Sequence, residues 1–298
     1  MISPAGRTLN MTGEALVSVV IPVYNRASLL QRALDSVKKQ TLLPNEIIVV
    51  DDGSTQGSLD RVKDSHNDVK WLRQENAGVA AARNSGIKEC KYEWIALLDS
   101  DDEWTPQKLE CQIHHIRANR DCRAVHTEEK WIRNGNEVLP PQYLNKEPDR
   151  LWERSLHHCL ICPSSALLHK SVFEQIGRFN EALLTCEDYD FWLRMLLEIP
   201  IGLVKKKLVI KHGGHADQLS TTTWGMDRFR VQALIKLSNR QDLDPSRREK
   251  LREVISKKSK ILEQGARKRN KLDQAEQYAN LHKQYSTRSR SLTVLTKR

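Results

Sequence analysis

Short apolar runs alternate along this chain with amphipathic and polar stretches, and the alternation predicts its elements. Residues 16–23 (LVSVVIPV) are apolar and rich in β-branched side chains, the pattern of a central parallel strand buried on both faces. Tyr24, Asn25 and Arg26 make the next loop, and Ser28 is placed to cap a helix over residues 29–40. Residues 46–50 (EIIVV) predict a second buried strand that ends in Asp51-Asp52-Gly53-Ser54-Thr55, with a helix over 58–63. A short strand at 69–73 leads through Asn76-Ala77-Gly78 into an Ala-rich helix at 79–88. The run Trp94-Ile95-Ala96-Leu97-Leu98 then stops in Asp99-Ser100-Asp101-Asp102, so a further strand delivers carboxylates to the edge of a sheet.

Strands alternating with helices imply right-handed βαβ crossovers: an α/β fold with a Rossmann-like, mostly parallel sheet, flanking helices and its site at the C-terminal ends of the strands. Three strands bring polar groups to that edge: Tyr24 with Asn25, Asp51 with Asp52, and Asp99 with Asp101. An aromatic ring can stack on a base, and a carboxylate can accept the imide N–H of a uracil or thymine. Arg83 on the Ala-rich helix is suited to a diphosphate or to a surface acid. Asp99 and Asp101 can reach one hard cation if the backbone turns at Ser100. No Gly-x-Gly-x-x-Gly and no Gly-Lys-Ser/Thr loop occurs, which argues against a dinucleotide fold and a P-loop.

The second half is less regular. A helix at 106–118 and a strand at 124–132 precede a polar, proline-bearing excursion at 137–156. Residues 160–169 (LICPSSALLH) read as a strand, and Cys159-Leu160-Ile161-Cys162 as buried strand cysteines rather than a zinc site, since no second ligand pair follows at finger spacing. Glu187, Asp188 and Asp190 open a helix, where acids suit the dipole. A strand at 202–210 runs into Lys211-His212-Gly213-Gly214-His215, whose glycines permit a mobile loop.

The ordered stretches VSVVIPVYNR, EIIVVDDGST, ENAGVAAARNSGI and WIALLDSDDEW resemble the successive motifs of family 2 inverting glycosyltransferases of GT-A fold, over about residues 16–225. The resemblance implies a nucleotide-sugar donor, usually a UDP-sugar. Pro22, Tyr24, Asn25, Asn76, Arg83, Asp99 and Ser100 would surround it, and Asp51 or Asp52 would read the base. It further implies Mn2+ or Mg2+ on the diphosphate, held by Asp101 with Asp99 and with His215 preferred over His212. Trp104 either walls the sugar site or starts the next helix. Glu187-Asp188 is similar to the family's ED motif, with Asp188 as catalytic base and Glu187 orienting the site or binding acceptor. Implied acceptors are glycans or lipid-linked groups, as in polysaccharide, lipopolysaccharide or other glycoconjugate synthesis.

Charge changes the picture only at the end of the chain. Of 48 Lys and Arg and 38 Asp and Glu, residues 240–298 hold 17 and 7, so the formal net charge of +10 belongs wholly to the tail. The expected organisation is an N-terminal extension at 1–15 and a catalytic domain at 16–225. Within that domain, 16–104 form the nucleotide half and 105–225 the acceptor half. A basic helical extension follows at 226–298. Its helices are expected at 224–238, from Pro245 (stripe Leu251, Val254, Ile255, Leu262) and at 272–285 (stripe Leu272, Ala275, Tyr278, Ala279). This tail could dock, self-associate or touch anionic lipid. No nucleic acid is expected as partner; binding through the tail is the rival reading, and a platform that has lost catalysis is another. Six scattered cysteines and the lack of a signal-like start or an 18-residue apolar run point to a cytoplasmic protein, peripheral at most to the inner membrane face.

Overall fold

The computed structural model describes residues 15–214 and 224–286. The chain divides into two compact units, Met1–Trp224 and Gly225–Arg298.

In the first unit, strand β1 (Val17–Val23) is buried along its whole length and pairs in parallel with β2 (Glu46–Asp51) and β4 (Trp94–Leu97); β2 pairs in parallel with β3 (Lys70–Arg73). Period-two alternation sorts their side chains between two cores. Val17, Val19, Ile21, Val49 and Ala96 face one side, against Leu30 and Leu34 of α1 (Ala27–Lys38) and Leu109 and Ile113 of α4 (Lys108–Ala118). Val20, Ile48, Val50, Ile95 and Leu97 face the other. There they meet Ala80 and Ala82 of α3 (Val79–Lys88) and Phe191, Trp192 and Met195 of α7 (Glu187–Leu196). Helix α3 lies close to the sheet because of Gly86: a Cβ there would stand 2.4 Å from Val20 Cγ1 and 3.1 Å from Val50 Cγ2.

Beyond β4 the sheet becomes mixed. Among the described residues its order is β3-β2-β1-β4-β8-β6-β9-β5, with β7 (Asn136–Val138) on β6. Strand β8 (Leu167–His169) runs against both β4 and β6 (Ala124–Arg133). Strand β9 (Gly202–Gly213) lies parallel to β6 and antiparallel to β5 (Glu103–Trp104). The remaining helices of this unit are α2 (Asp60–Asp64), α5 (Leu151–Ser155) and α6 (Lys170–Ile176).

Three local expectations are corrected. Ser28 lies inside α1, whose cap position is Arg26 and has no side-chain cap. Residues 160–169 form no continuous strand: a 3-10 turn at Pro163–Ser165 interrupts them, because Pro163 has no N–H for a ladder, and only Leu167–His169 pairs. In the tail Leu272 stands exposed instead of joining the stripe.

The second unit comprises α8 (Asp227–Ser238), α9 (Pro245–Lys268) and α10 (Leu272–Tyr285). Asp244 caps α9 by accepting from Arg247 N, with Pro245 in the first turn, and Leu251, Val254, Ile255 and Leu262 are buried as expected. Among the described residues no helix is long and apolar enough to cross a membrane.

Candidate active site

At the C-terminal end of β2, Asp51 and Asp52 are buried and held by different partners. Asp51 Oδ1 accepts from Ser54 N at 2.8 Å and Oδ2 pairs with Arg73 at 2.9 Å. Asp52 accepts three bonds, from Gln74 Nε2 (2.7 Å), Ala77 N (3.0 Å) and Gly78 N (2.9 Å). Asn76 Nδ2 donates to the Asp52 carbonyl, and Gly53, at φ +78°, makes the turn that brings these segments together. Asn25, also at positive φ, donates its N–H to Ser54 Oγ and accepts from Thr55 N. Pro22 lies within the ladder opposite Val50, while Tyr24 is 49% exposed at the edge.

The acidic loop after β4 is closed by Asp102 N donating to Asp99 O at 3.0 Å. Its three carboxylates meet different partners. Arg83 of α3 donates to Asp99 Oδ1 (2.6 Å) and to Glu187 Oε1 (2.5 Å), so one buried guanidinium ties the acidic loop to the first turn of α7. Burial alone would lower its pKa; Asp99 and Glu187 more than offset that and keep it charged. Asp101 pairs with Arg26 at 2.9 Å, and Arg32 donates to its carbonyl. Asp102 is buried and accepts from Ser164 Oγ (2.5 Å) and Cys162 Sγ (3.7 Å); burial, with Asp101 adding to it, pushes its pKa up to about 8. Ser100 is buried in the turn.

Ligand atoms of Asp99, Asp102 and Cys162 lie within 4.8 Å of one another. The set fits a hard divalent cation through its carboxylate oxygens. Cys162 serves as a hydrogen-bond donor in it, since burial holds its thiol protonated. Asp102, which the resemblance does not name as a ligand, is therefore a member of this group. His212 pairs with Glu103 at 3.3 Å, and His215 lies outside the described residues. Trp104 is sealed in the core, where its indole donates to the Ser164 carbonyl at 2.8 Å; it supports the loop from beneath and faces no open space.

Glu187 and Asp188 begin α7, after Cys186 in left-handed geometry. Burial pushes the Glu187 carboxyl up, against the opposing pull of Arg83. Asp188 accepts from Tyr189 N (2.7 Å) and from Cys159 Sγ (3.3 Å), and lines a cavity of about 350 Å³ with Cys159, Cys162, Trp131, Glu129 and Lys211. Part of the polar excursion, between Pro140 and Glu147, lines this cavity, and its Lys146 pairs with the buried Glu129. The acid groups around it, Glu129 and Asp99 among them, hold Lys211 well above the usual lysine pKa, against burial.

Sequence reasoning missed Arg26, Arg73, Cys159, Ser164 and Lys211. Arg26 stands inside a recognised motif, which was a usable signal. Cys159 stands in the Cys-x-x-Cys pair that the sequence assigns to a buried strand, whereas it lies half-buried outside any strand; Arg73, Ser164 and Lys211 are brought in by tertiary approach, without a local pattern to mark them.

The chain belongs to glycosyl transferase family 2: the family model matches residues 18–177. A Rickettsia felis protein described as an uncharacterized glycosyltransferase is 35% identical over 230 residues, covering 73% of this chain and 37% of that protein. Chondroitin synthase of Escherichia coli is 28% identical over 188 residues, 60% of this chain and 26% of the synthase. The chain thus spans little more than a third of the first of these relatives. S. aureus TarS 1-349, solved in complex with UDP-GlcNAc, superposes with a TM-score of 0.70 at 21% identity, covering 91% of this chain and 80% of that 1-349 chain; the likeness establishes the GT-A fold.

Proposed function

We propose that this chain is a metal-dependent inverting glycosyltransferase that moves a sugar from a nucleotide donor, a UDP-sugar, to a hydroxyl of a glycan or lipid-linked acceptor. The observation that carries the reading is the Arg83 bridge. By holding Asp99 and Glu187 on one guanidinium, it sets the acidic loop and the Asp188 turn side by side at the end of β4. A UDP-GlcNAc complex of TarS supports the donor class.

In this reading Asp51, Asp52 and Tyr24 frame the base, with Pro22, Asn25 and Asn76 shaping their loops. Asp99 and Asp101, with Asp102 beside them, would hold Mn2+ or Mg2+, which when bound supplies Lewis-acid stabilisation of the departing diphosphate. Asp188 faces the cavity and takes the proton from the acceptor hydroxyl. The acceptor oxygen then bonds to the anomeric carbon as the bond to the diphosphate breaks, in a single displacement with inversion. Arg26 and Lys211 add positive charge where negative charge develops. The two units are read as catalytic domain and basic extension.

The test is a screen of nucleotide sugars with Mn2+ or Mg2+, following release of the nucleoside diphosphate. Asp188→Asn is expected to lower turnover by roughly 10²–10⁴-fold with donor affinity retained. Equal turnover by the variant and the parent on an identified acceptor rejects Asp188 as the base.

A further inference from the structure

We propose that Ser164 is a positioning residue for the metal-binding loop, acting through Asp99 and Asp102. The inference rests on the metal-dependent reading above. Strand β8 pairs antiparallel with β4, the strand that delivers the acidic loop, with Leu167 opposite Ala96. That register carries the Pro163–Ser165 turn past the end of β4 and sets Ser164 against the loop.

The Ser164 side chain is fully buried, and both of its hydrogen-bonding capacities go to the loop: its Oγ accepts from Asp99 N at 3.0 Å and donates to Asp102 Oδ2 at 2.5 Å. Its own carbonyl is fixed by Trp104 Nε1 at 2.8 Å, so the hydroxyl is held from the far side by a core indole. A serine hydroxyl is the smallest side-chain group able to bond a backbone N–H and a carboxylate at once. Without it the Asp99 N–H loses its acceptor, and Asp102 keeps one hydrogen bond, the longer one from Cys162, with the charges of Asp101 and Asp99 against it and that of Lys211 drawing it away. The carboxylates then relax apart, and the oxygen donors that lie together here lose their common centre. The peptide that carries Ser164 also carries Cys159, whose Sγ donates to Asp188, so one short segment borders both the metal end and the base end.

The test needs no acceptor. Mn2+ binding to the full chain at fixed UDP, followed by the EPR signal of free Mn2+, is expected to weaken about tenfold in Ser164→Ala, a loss equivalent to about one hydrogen bond. UDP binding without metal should stay unchanged, and Ser164→Thr, which restores the hydroxyl, should recover most of the Mn2+ affinity. A purely structural role predicts equal losses of metal-free UDP binding and metal binding, and that result overturns the proposal. Mn2+ affinity in Ser164→Ala within twofold of the parent also overturns it. Should Ser164→Ala fail to fold, Trp104→Phe, which frees the Ser164 carbonyl, takes its place with metal-free UDP binding as its control: weaker Mn2+ binding at unchanged UDP binding supports the proposal, and any other result rejects it. A parent chain that binds no Mn2+ at any UDP concentration rejects the metal reading itself and this inference with it. Mn2+ binding by the parent matched in Ser164→Ala rejects Ser164 alone.

Discussion

Asp52 and Asp99 follow the two strands that flank β1, and they are held in opposite ways. Asp52 receives three neutral donors, two of them backbone amides, and its carboxylate is wholly committed to joining β2 to the start of α3. Asp99 receives one cation, and a quarter of its side chain stays open. A carboxylate satisfied by fixed neutral dipoles shapes a loop. One held by a guanidinium at an open edge keeps lone pairs for a ligand, and its partner can be shared as charge arrives. Two acids of similar appearance in the sequence thus divide into a builder of the nucleotide platform and a member of the reacting centre.

The contrast breaks most visibly at Arg83. Replacing it with Met strands Asp99 and the buried Glu187 together, and the chain is expected to lose about 3–5 kcal/mol in urea unfolding. The deficit should narrow as pH falls, because the stranded carboxyls can then take up protons. A loss that is independent of pH would show that packing, not charge, is what Arg83 provides. The Asp52 side of the comparison predicts a smaller effect of another kind. Asp52→Ala leaves buried donors unmet, at about 1–3 kcal/mol, and weakens metal-free UDP binding by deforming the Asn76–Gly78 turn. Isothermal titration of UDP without Mn2+ checks it.

The smallest effect has the opposite sign. Lys108 is completely buried with its Nζ 3.8 Å from the centroid of the Trp104 ring, and burial pulls its pKa well below the ordinary lysine value of 10.5. The unfolded chain therefore binds a proton that the folded chain does not. Stability from this group is full above pH 10.5 and is lost as pH falls toward the folded value. Lys108→Met should raise stability at neutral pH by about 1–2 kcal/mol and flatten the slope of stability against pH on the alkaline side. Set beside Arg83, it separates a buried basic side chain that has acid partners, and stays charged, from one that has none and gives up its proton.

How much could be read from sequence follows the same division. Strands β1, β2 and β4 were legible because burial on both faces demands unbroken apolar runs, and the acids that end them mark the sheet edge. The partners of those acids were not: Ser164 lies 62 positions from Asp102, Arg83 lies 104 from Glu187, and Cys159 lies 29 from Asp188. Only the register of β8 on β4 and the seat of α3 on the sheet bring them into reach. The misread strand at 160–169 has the same origin. Its composition is apolar because the segment is buried, and burial alone does not distinguish a ladder strand from a turn packed beneath a loop.

Gly86 sits three positions beyond Arg83 on α3 and touches neither Asp99 nor Glu187. Any larger side chain there must push against Val20, and a helix displaced by such a collision takes the guanidinium with it. A mutational scan scored by turnover should therefore rank Gly86 among the catalytic positions, and its suppressors should arise at Val20, as smaller residues, rather than among the acids. In the genetics of this protein, a missing methyl group would behave as a charged one.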